Sequence, residues 1–422
     1  MNAREYLARL EFHGVKLGLE NIRHLLACAG NPQTRYPCVH IAGTNGKGSV
    51  LAMVDAMCRA AGMRTGRYTS PHIIDVRERF LIDARPVEDA ALDAALAHFQ
   101  RIAEQMTPPP TYFELATAVA FHLFQQNEVD LALIEVGLGG RFDATNVITP
   151  VAAAITNIDR EHTQYLGDTL EKIAFEKAGI LKESVPAVIG ETQPGPLGVI
   201  LARARELGCP VRLMERDFRF ETQEPSDSPA FVYRSDGMTL GPVTLGLPGA
   251  FQRFNAALAV ALAECLAPTF PQLDSRAMLA GLRSARWPCR LERVLDSPPV
   301  IIDIAHNPAG IRQLVRQVPR CAAILAVSSD KNAPEMLRYL ATVAEPLILT
   351  QFTGHRALPV EQLCAAAGNA AHQRVDCLDE ALRMGLRAAA ADRPLLITGS
   401  VYTAGQARAL LVAEYNARPL EF

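Results

Sequence analysis

The sequence predicts an α/β protein in two parts, a larger mostly parallel sheet domain followed by a smaller one. Three observations carry this. An apolar run, Cys38 to Ala42, stops at Gly43 and passes through a glycine-rich loop into an amphipathic segment from Ser49, which reads as strand, tight loop and helix. Further short apolar runs alternate with helical patterns along the chain, as parallel strands joined by crossover helices do. At 422 residues the chain exceeds one ordinary domain, and 49% hydrophobic residues supply ample core.

Residues 1–30 read as a helical lead-in that Asn31-Pro32 ends. The loop then opens a helix from Ser49 to Ala61, with Gly62 placed to stop it. Arg64 to Thr69 form a second strand, with Ser70 at its end, and Pro86 to about Met106 look helical. Pro108 to Pro110 break the chain before an apolar helix, Tyr112 to Gln126. Val129 to Val136 and Val151 to Ile158 have the pattern of buried strands, running into Gly137-Leu138-Gly139-Gly140 and Asp159-Arg160-Glu161-His162. Ligands of such sheets collect at the carboxyl ends of the strands, so Gly43, Ser70, Glu135 and His162 are expected to converge. Asp217 to Gly249 reads as a small β excursion with turns at Pro225-Ser226-Asp227-Ser228-Pro229 and Ser235-Asp236-Gly237. Helices near Arg253 to Leu266 and Arg276 to Arg283 lead to a hinge at Trp287-Pro288-Cys289-Arg290. Strands then recur at Val300 to Ile304, Ala322 to Val327, Pro346 to Leu349 and Leu395 to Thr398. The expected domains are 1–284, a P-loop-type mostly parallel sheet domain, and 285–422, a smaller Rossmann-like α/β domain.

Composition narrows the function. The net charge of −3 and the lack of basic runs give no reason to expect nucleic acid as a partner. Nine scattered cysteines, none in a Cys-x-x-Cys pair, argue against disulfide frameworks and metal clusters and for a reducing compartment. No signal-like or membrane-length apolar run is present, so a cytoplasmic protein is expected.

The loop Gly43-Thr44-Asn45-Gly46-Lys47-Gly48-Ser49 has the parts of a phosphate site. Glycines let backbone N–H groups close on an anion, the helix start adds donors, and Lys47 brings a charge. The common pattern would need glycine at Ile41 and Ser or Thr at Gly48, so a plain glycine-rich turn with a surface lysine is the alternative. Glu135 ends an apolar strand, where a metal or cation partner would offset the cost of burying a carboxylate. With the Ser70 hydroxyl and the His162 imidazole it would suit magnesium, which keeps waters and shares phosphates. The bland alternatives are a salt bridge to arginine for Glu135, a turn serine and a capping histidine.

Seven motifs occur in order: Gly43 to Ser49, Tyr68-Thr-Ser-Pro-His72, Glu135-Val-Gly-Leu-Gly-Gly-Arg-Phe-Asp-Ala-Thr-Asn146, Glu176-Lys-Ala-Gly-Ile180, Trp287-Pro-Cys-Arg-Leu-Glu292, Asp303-Ile-Ala-His-Asn-Pro308 and Thr398-Gly-Ser400. Together they resemble the folylpolyglutamate synthase family of the Mur ligase superfamily, including its bifunctional dihydrofolate synthase members. The resemblance spans nearly the whole chain and is weakest in the β excursion. It implies an ADP-forming ligase that phosphorylates a pterin-substrate carboxylate with ATP and lets L-glutamate attack the acyl phosphate. It implies that Thr44, Asn45, Gly46, Lys47, Gly48 and Ser49 hold phosphates, and that Asn255, Arg290 and Asp303 reach the nucleotide. Ser70, Glu135 and His162 would be magnesium ligands. Lys177 would be carbamylated and help hold a second magnesium ion, and His306 would lie near the reacting groups. By its residues alone, Lys177 reads as a solvated helix lysine.

For the pterin, the resemblance points to Thr111, Tyr112, Phe113 and Glu114 and to Phe142, Asp143 and Ala144. Aromatic faces suit a flat heterocycle and a carboxylate suits its N–H donors, although Phe113 equally fits the core face of its helix. Arg79, Arg141 or Arg356 could meet substrate carboxylates. The competing functions are a folylpolyglutamate synthase alone and a muramoyl-peptide ligase. The latter is disfavoured because the phosphate loop begins near residue 43, leaving no obvious further domain before it. The expected partners are dihydropteroate, reduced folates and L-glutamate, with no nucleic acid or membrane, on a monomer.

Overall fold

The computed structural model describes residues 2–10, 18–223 and 230–422. They form two compact units: one up to His72 with Val76–Gly246 and Gln252–Arg286, the other of Ile73–Asp75, Leu247–Phe251 and Trp287–Phe422.

The first unit is built on an eight-stranded sheet. Its strands are β1 (Cys38–Ala42), β2 (Thr65–Tyr68), β3 (Phe80–Ile82), β4 (Arg85–Pro86), β5 (Leu131–Glu135), β6 (Ala152–Ile155), β7 (Ala187–Ile189) and β8 (Val211–Leu213), in spatial order β4-β3-β2-β5-β1-β6-β7-β8. The six strands from β2 to β8 across this order run parallel, and β3 and β4 add an antiparallel edge. Every residue of β1 and β5 is buried, as strands covered on both faces must be. One face packs on helices Glu20–Cys28, Asp89–Ala103 and Tyr112–Gln126, whose Leu, Phe and Ala side chains fill a single cluster. Farther along the same face Ile173, Ala174, Ile200 and Ala204 of helices Leu170–Ala178 and Pro194–Glu206 meet Ala153, Ile155 and Ile189, while helices Lys47–Ala60 and Gln252–Leu266 cover the opposite face.

The expected four strand tips lie side by side, because β2, β5, β1 and β6 are consecutive neighbours pointing one way. Helix Tyr112–Gln126 has the expected bounds, set by Thr111 as N-cap. Other elements differ in detail. The lead-in holds two helices, Ala3–Leu10 and Glu20–Cys28. The helix expected from Pro86 begins at Asp89, because Arg85 and Pro86 pair with β3 as an edge strand. A proline suits such an edge, where its missing donor goes unneeded.

The excursion consists of β9 (Phe218–Gln223), β10 (Ala230–Ser235) and β11 (Thr239–Val243), an antiparallel sheet with β10 central. Its turn at Ser235 is present, whereas the turn expected at Pro225 to Pro229 lies outside the described residues.

The second unit has six strands: β12 (Glu292–Asp296), β13 (Pro299–Ile302), β14 (Cys321–Leu325), β15 (Ala344–Leu349), β16 (Gln373–Arg374) and β17 (Leu395–Thr398). They are ordered β12-β13-β17-β14-β15-β16, all parallel except the β12–β13 pair. Arg408 of helix Val401–Tyr415 is fully buried, pairs with Glu292 and donates to the carbonyls of Arg418 and Pro419. The helix thereby ties strand β12 to the chain's last residues.

Candidate active site

The loop after β1 is held by the chain leaving β6. Gly43 takes φ +144°, and a Cβ there would lie 1.8 Å from the Thr156 hydroxyl, so only glycine fits. Thr44 N donates to the Asn157 carbonyl (2.9 Å), and Asn45 N donates to its side-chain oxygen (2.9 Å). The Thr44 hydroxyl accepts from Asp159 N at 3.0 Å. Gly46, at φ +88°, starts helix Lys47–Ala60, where a Cβ would meet Asn255 Oδ1 at 2.4 Å. Asn255 therefore lies directly against the loop. Its Nδ2 donates to Gln252 Oε1 (2.8 Å), and Gln252 Nε2 donates to the Ser49 hydroxyl (3.3 Å).

Two lysines converge on one carbonyl. Lys47 Nζ donates to Gly43 O (2.9 Å) and Thr44 O (3.2 Å). Lys177 Nζ donates to the same Gly43 O (2.9 Å) and pairs with Glu161 at 2.6 Å, the two side chains being 3% and 10% exposed. The solvated-lysine reading of Lys177 is thereby overturned, since helix Leu170–Ala178 turns it inward against the loop. Burial holds the Lys177 ammonium below the usual lysine range, while Glu161 only partly opposes this. Burial would raise the Glu161 carboxyl, but Lys177 and Lys47 outweigh it and hold it down to about 2. Glu161 was not among the expected site residues. Its signal was a carboxylate next to His162 on a strand-end loop.

Glu135 is buried at the tip of β5, and its Oε2 accepts from Ser70 N at 3.4 Å, across from the neighbouring β2. His162 sits in the left-handed region (φ +47°) as the residue before the short helix Thr163–Leu166. These three side chains offer a carboxylate, a hydroxyl and an imidazole from the segments that follow β5, β2 and β6. Among the described residues no group of three or more His, Cys, Asp or Glu forms a metal cluster. Carboxylate and hydroxyl oxygens are the ligand types that magnesium takes while keeping several waters.

The expected pterin segments have clear structural work. Thr111 and Glu114 form a capping box: Glu114 N donates to the Thr111 hydroxyl (3.2 Å), and Glu114 Oε2 accepts from Thr111 N (2.8 Å). Tyr112 lies under the Arg79 guanidinium (5.1 Å), and Arg79 donates to His72 Nδ1 (2.9 Å). Phe113 tilts against Tyr68 and packs on Gly137. Phe142 is half-exposed beneath Arg141 (4.2 Å), which also lies over Phe175 (5.0 Å) and pairs with Glu176. Asp143 organises the glycine loop, accepting from Leu138 N (2.8 Å), Thr145 N (3.0 Å) and the Thr145 hydroxyl, with Ala144 buried beside it. Burial raises its carboxyl above the usual range despite these bonds.

In the second unit, Asp303 follows β13 and is buried. Its Oδ2 accepts from Leu291 N (2.9 Å) and its Oδ1 from Ala305 N (2.8 Å). Burial raises its carboxyl and Arg290 opposes that, while Arg290 Nε is itself buried without a hydrogen bond among the described residues. His306 Nδ1 lies 3.0 Å from Ile304 O, and Arg356 lies near Asp330 (3.8 Å).

Residues 41–263 match the model of the Mur ligase middle domain, and residues 289–401 match that of the Mur ligase glutamate ligase domain. The dihydrofolate synthase/folylpolyglutamate synthase of Bacillus subtilis is 34% identical over 415 residues, covering 95% of this chain and 96% of that protein. The chain belongs to the folylpolyglutamate synthase family of Mur ligases. It is an ADP-forming carbon–nitrogen ligase. The folylpolyglutamate synthase of Lacticaseibacillus casei is 34% identical, with 92% and 93% of the two chains covered. Among solved structures, Mycobacterium tuberculosis folylpolyglutamate synthase complexed with ADP superposes with a TM-score of 0.89 at 35% identity, covering 97% of this chain and 98% of that one. E. coli FolC in complex with DHPP and ADP gives 0.89 at 28% identity, covering 98% and 99%. No helix among the described residues is long and apolar enough to cross a membrane.

Proposed function

We propose that this family member joins L-glutamate to dihydropteroate and then to reduced folates, acting as dihydrofolate synthase and folylpolyglutamate synthase. The observation that carries it is the meeting of Lys47 and Lys177 at the Gly43 carbonyl, with Glu161 accepting from Lys177, in the row of strand tips that includes Glu135. A carboxylate is a poor acylating agent. Its oxygen attacks the γ-phosphorus of ATP, ADP leaves, and the acyl phosphate so formed is attacked by the glutamate amine, which expels phosphate and loses a proton. Such a transfer needs positioning and charge neutralisation more than covalent help from the protein.

Thr44, Asn45, Gly46, Gly48 and Ser49 present backbone donors and the helix start to the phosphates, and Lys47 swings from the loop carbonyls to the transferred group. Asn255, fixed by Gln252, lines the adenine side, and Arg290 and Asp303 complete the nucleotide contacts. Ser70, Glu135 and His162 fit magnesium by their oxygen-rich, incomplete donor set. Bound there, the ion supplies neutralisation of the phosphate charge. Burial favours the neutral Lys177 amine that carbamylation requires, and a carbamate would give this corner an anion for a second ion. His306 is assigned to the reacting groups. Tyr112, Phe113 and Phe142 give the pterin its aromatic faces, with Thr111, Glu114, Asp143 and Ala144 shaping that wall. Residues 1–284 form the ATP-binding domain and 285–422 the glutamate ligase domain, in a cytoplasmic monomer without nucleic-acid or membrane partners.

The test is ADP release by the purified protein with ATP, magnesium and L-glutamate. Release that depends on dihydropteroate, and separately on tetrahydrofolate, supports both activities. Release with tetrahydrofolate alone leaves the polyglutamate activity only, and release with neither refutes the proposal.

A further inference from the structure

The amino-terminal edge of the large sheet, opposite the phosphate loop, carries a second concavity. The segments entering β1, β6 and β7 bring Asn31 and Gln33, Asn146 to Thr149, and Lys182 to the wall of a cavity of about 350 Å³, which Arg23 of helix Glu20–Cys28 also lines. That is within the size range of small-molecule sites. The wall holds two cations and no carboxylate. Among the described residues Lys182 Nζ donates only to Asn146, at 2.7 Å to Oδ1 and 3.3 Å to the carbonyl. Burial, then Arg23 and Arg203, hold Lys182 below the usual lysine range, as befits a cation short of counter-charge. The Gln33 side-chain carbonyl in the same wall is buried without a hydrogen bond among the described residues.

We propose that this cavity binds a small dicarboxylate that also carries an N–H donor, an acidic amino acid or a short γ-glutamyl peptide. Arg23 and Lys182 meet the carboxylates, and the amide-rich wall with Gln33 takes the N–H. A bare inorganic anion would satisfy the cations and leave that acceptor unused. The free amino acid and the glutamyl tail of a larger molecule share this chemistry. Asn146 Nδ2 also donates to the carbonyls of Arg141 (2.9 Å) and Gly179 (3.1 Å), so an occupant would bear on the segment leading to Asp143. The site stands independently of the reaction proposed above.

The test is calorimetric titration of the full chain, without ATP, with L-glutamate, γ-glutamylglutamate and inorganic phosphate as separate probes. Binding of either glutamyl probe is expected, weakened about tenfold or more by Arg23→Gln and by Lys182→Gln, with ATP affinity unchanged in Arg23→Gln. L-Glutamate binding alone identifies the free amino acid, and dipeptide binding alone identifies a glutamyl tail. Arg23 is exposed on its helix, so its substitution preserves the fold and isolates the charge. No binding of either probe, binding unchanged in Arg23→Gln, or phosphate binding as tight as glutamate overturns the proposal.

Discussion

Replacing Glu161 by Gln removes one half of a buried ion pair beneath the phosphate loop. Moving a carboxyl from 4.5 to about 2 on folding corresponds to about 3 kcal/mol. The side chain is 10% exposed, so solvent screens little of this. Breaking a buried pair by removing one partner costs roughly 3–5 kcal/mol, which agrees. The sign follows from linkage. The folded carboxyl is depressed, so its contribution is complete above about 4.5 and is lost as the pH falls toward 2. Urea denaturation followed by far-UV circular dichroism should show Glu161→Gln about 3 kcal/mol less stable than the parent at pH 7, with the gap closing toward pH 3. Lys177→Met should cost a similar amount, because it leaves Glu161 buried beside fewer cations. The double substitution should cost much less than the two singles together. Additive singles, or a Glu161→Gln variant within about 0.5 kcal/mol of the parent at pH 7, would refute the reasoning.

Lys47→Ala should lower ADP release by a factor on the order of 10²–10³, because a positioned charge is lost from the transferred phosphate, while the melting curve moves little; normal turnover would return the loop to an ordinary turn. Lys177→Ala should nearly abolish activity, with partial recovery in millimolar acetate or formate if the lysine acts as a carbamate; a neutral effect removes that role. His40 is fully buried against the Thr145 hydroxyl (2.8 Å), and burial, aided by Lys182, holds its imidazole down to about 3. The unfolded chain takes up a proton below about 6.5 that the folded chain refuses, so stability falls by about 5 kcal/mol between pH 6.5 and 3. His40→Gln should flatten that slope in denaturation curves run across the same range. Thr111→Ala should cost about 1 kcal/mol through the lost cap, read as a lower urea midpoint.

The amino-acid sequence determined the strand, loop and helix around Lys47, the order of strands along the chain and the bounds of helix Tyr112–Gln126. These depend on local matters: apolar periodicity, a capping threonine, and glycines where the backbone turns left-handed. It did not reveal the short strands β3, β4, β7 and β8, because two to three residues carry too little pattern to be read alone. The same limit hid the state of single side chains. Lys177 read as solvated because its helix carries other charges at Glu171, Lys172 and Glu176, yet tertiary packing turns that one position onto Gly43 O and Glu161. Glu114 and Asp143 read as free to meet a ligand, and the fold commits them to a helix start and a glycine loop. Chemistry-bearing residue types are written along the chain, but whether a charge is buried, and which charge faces it, is fixed only when strands far apart in sequence become neighbours.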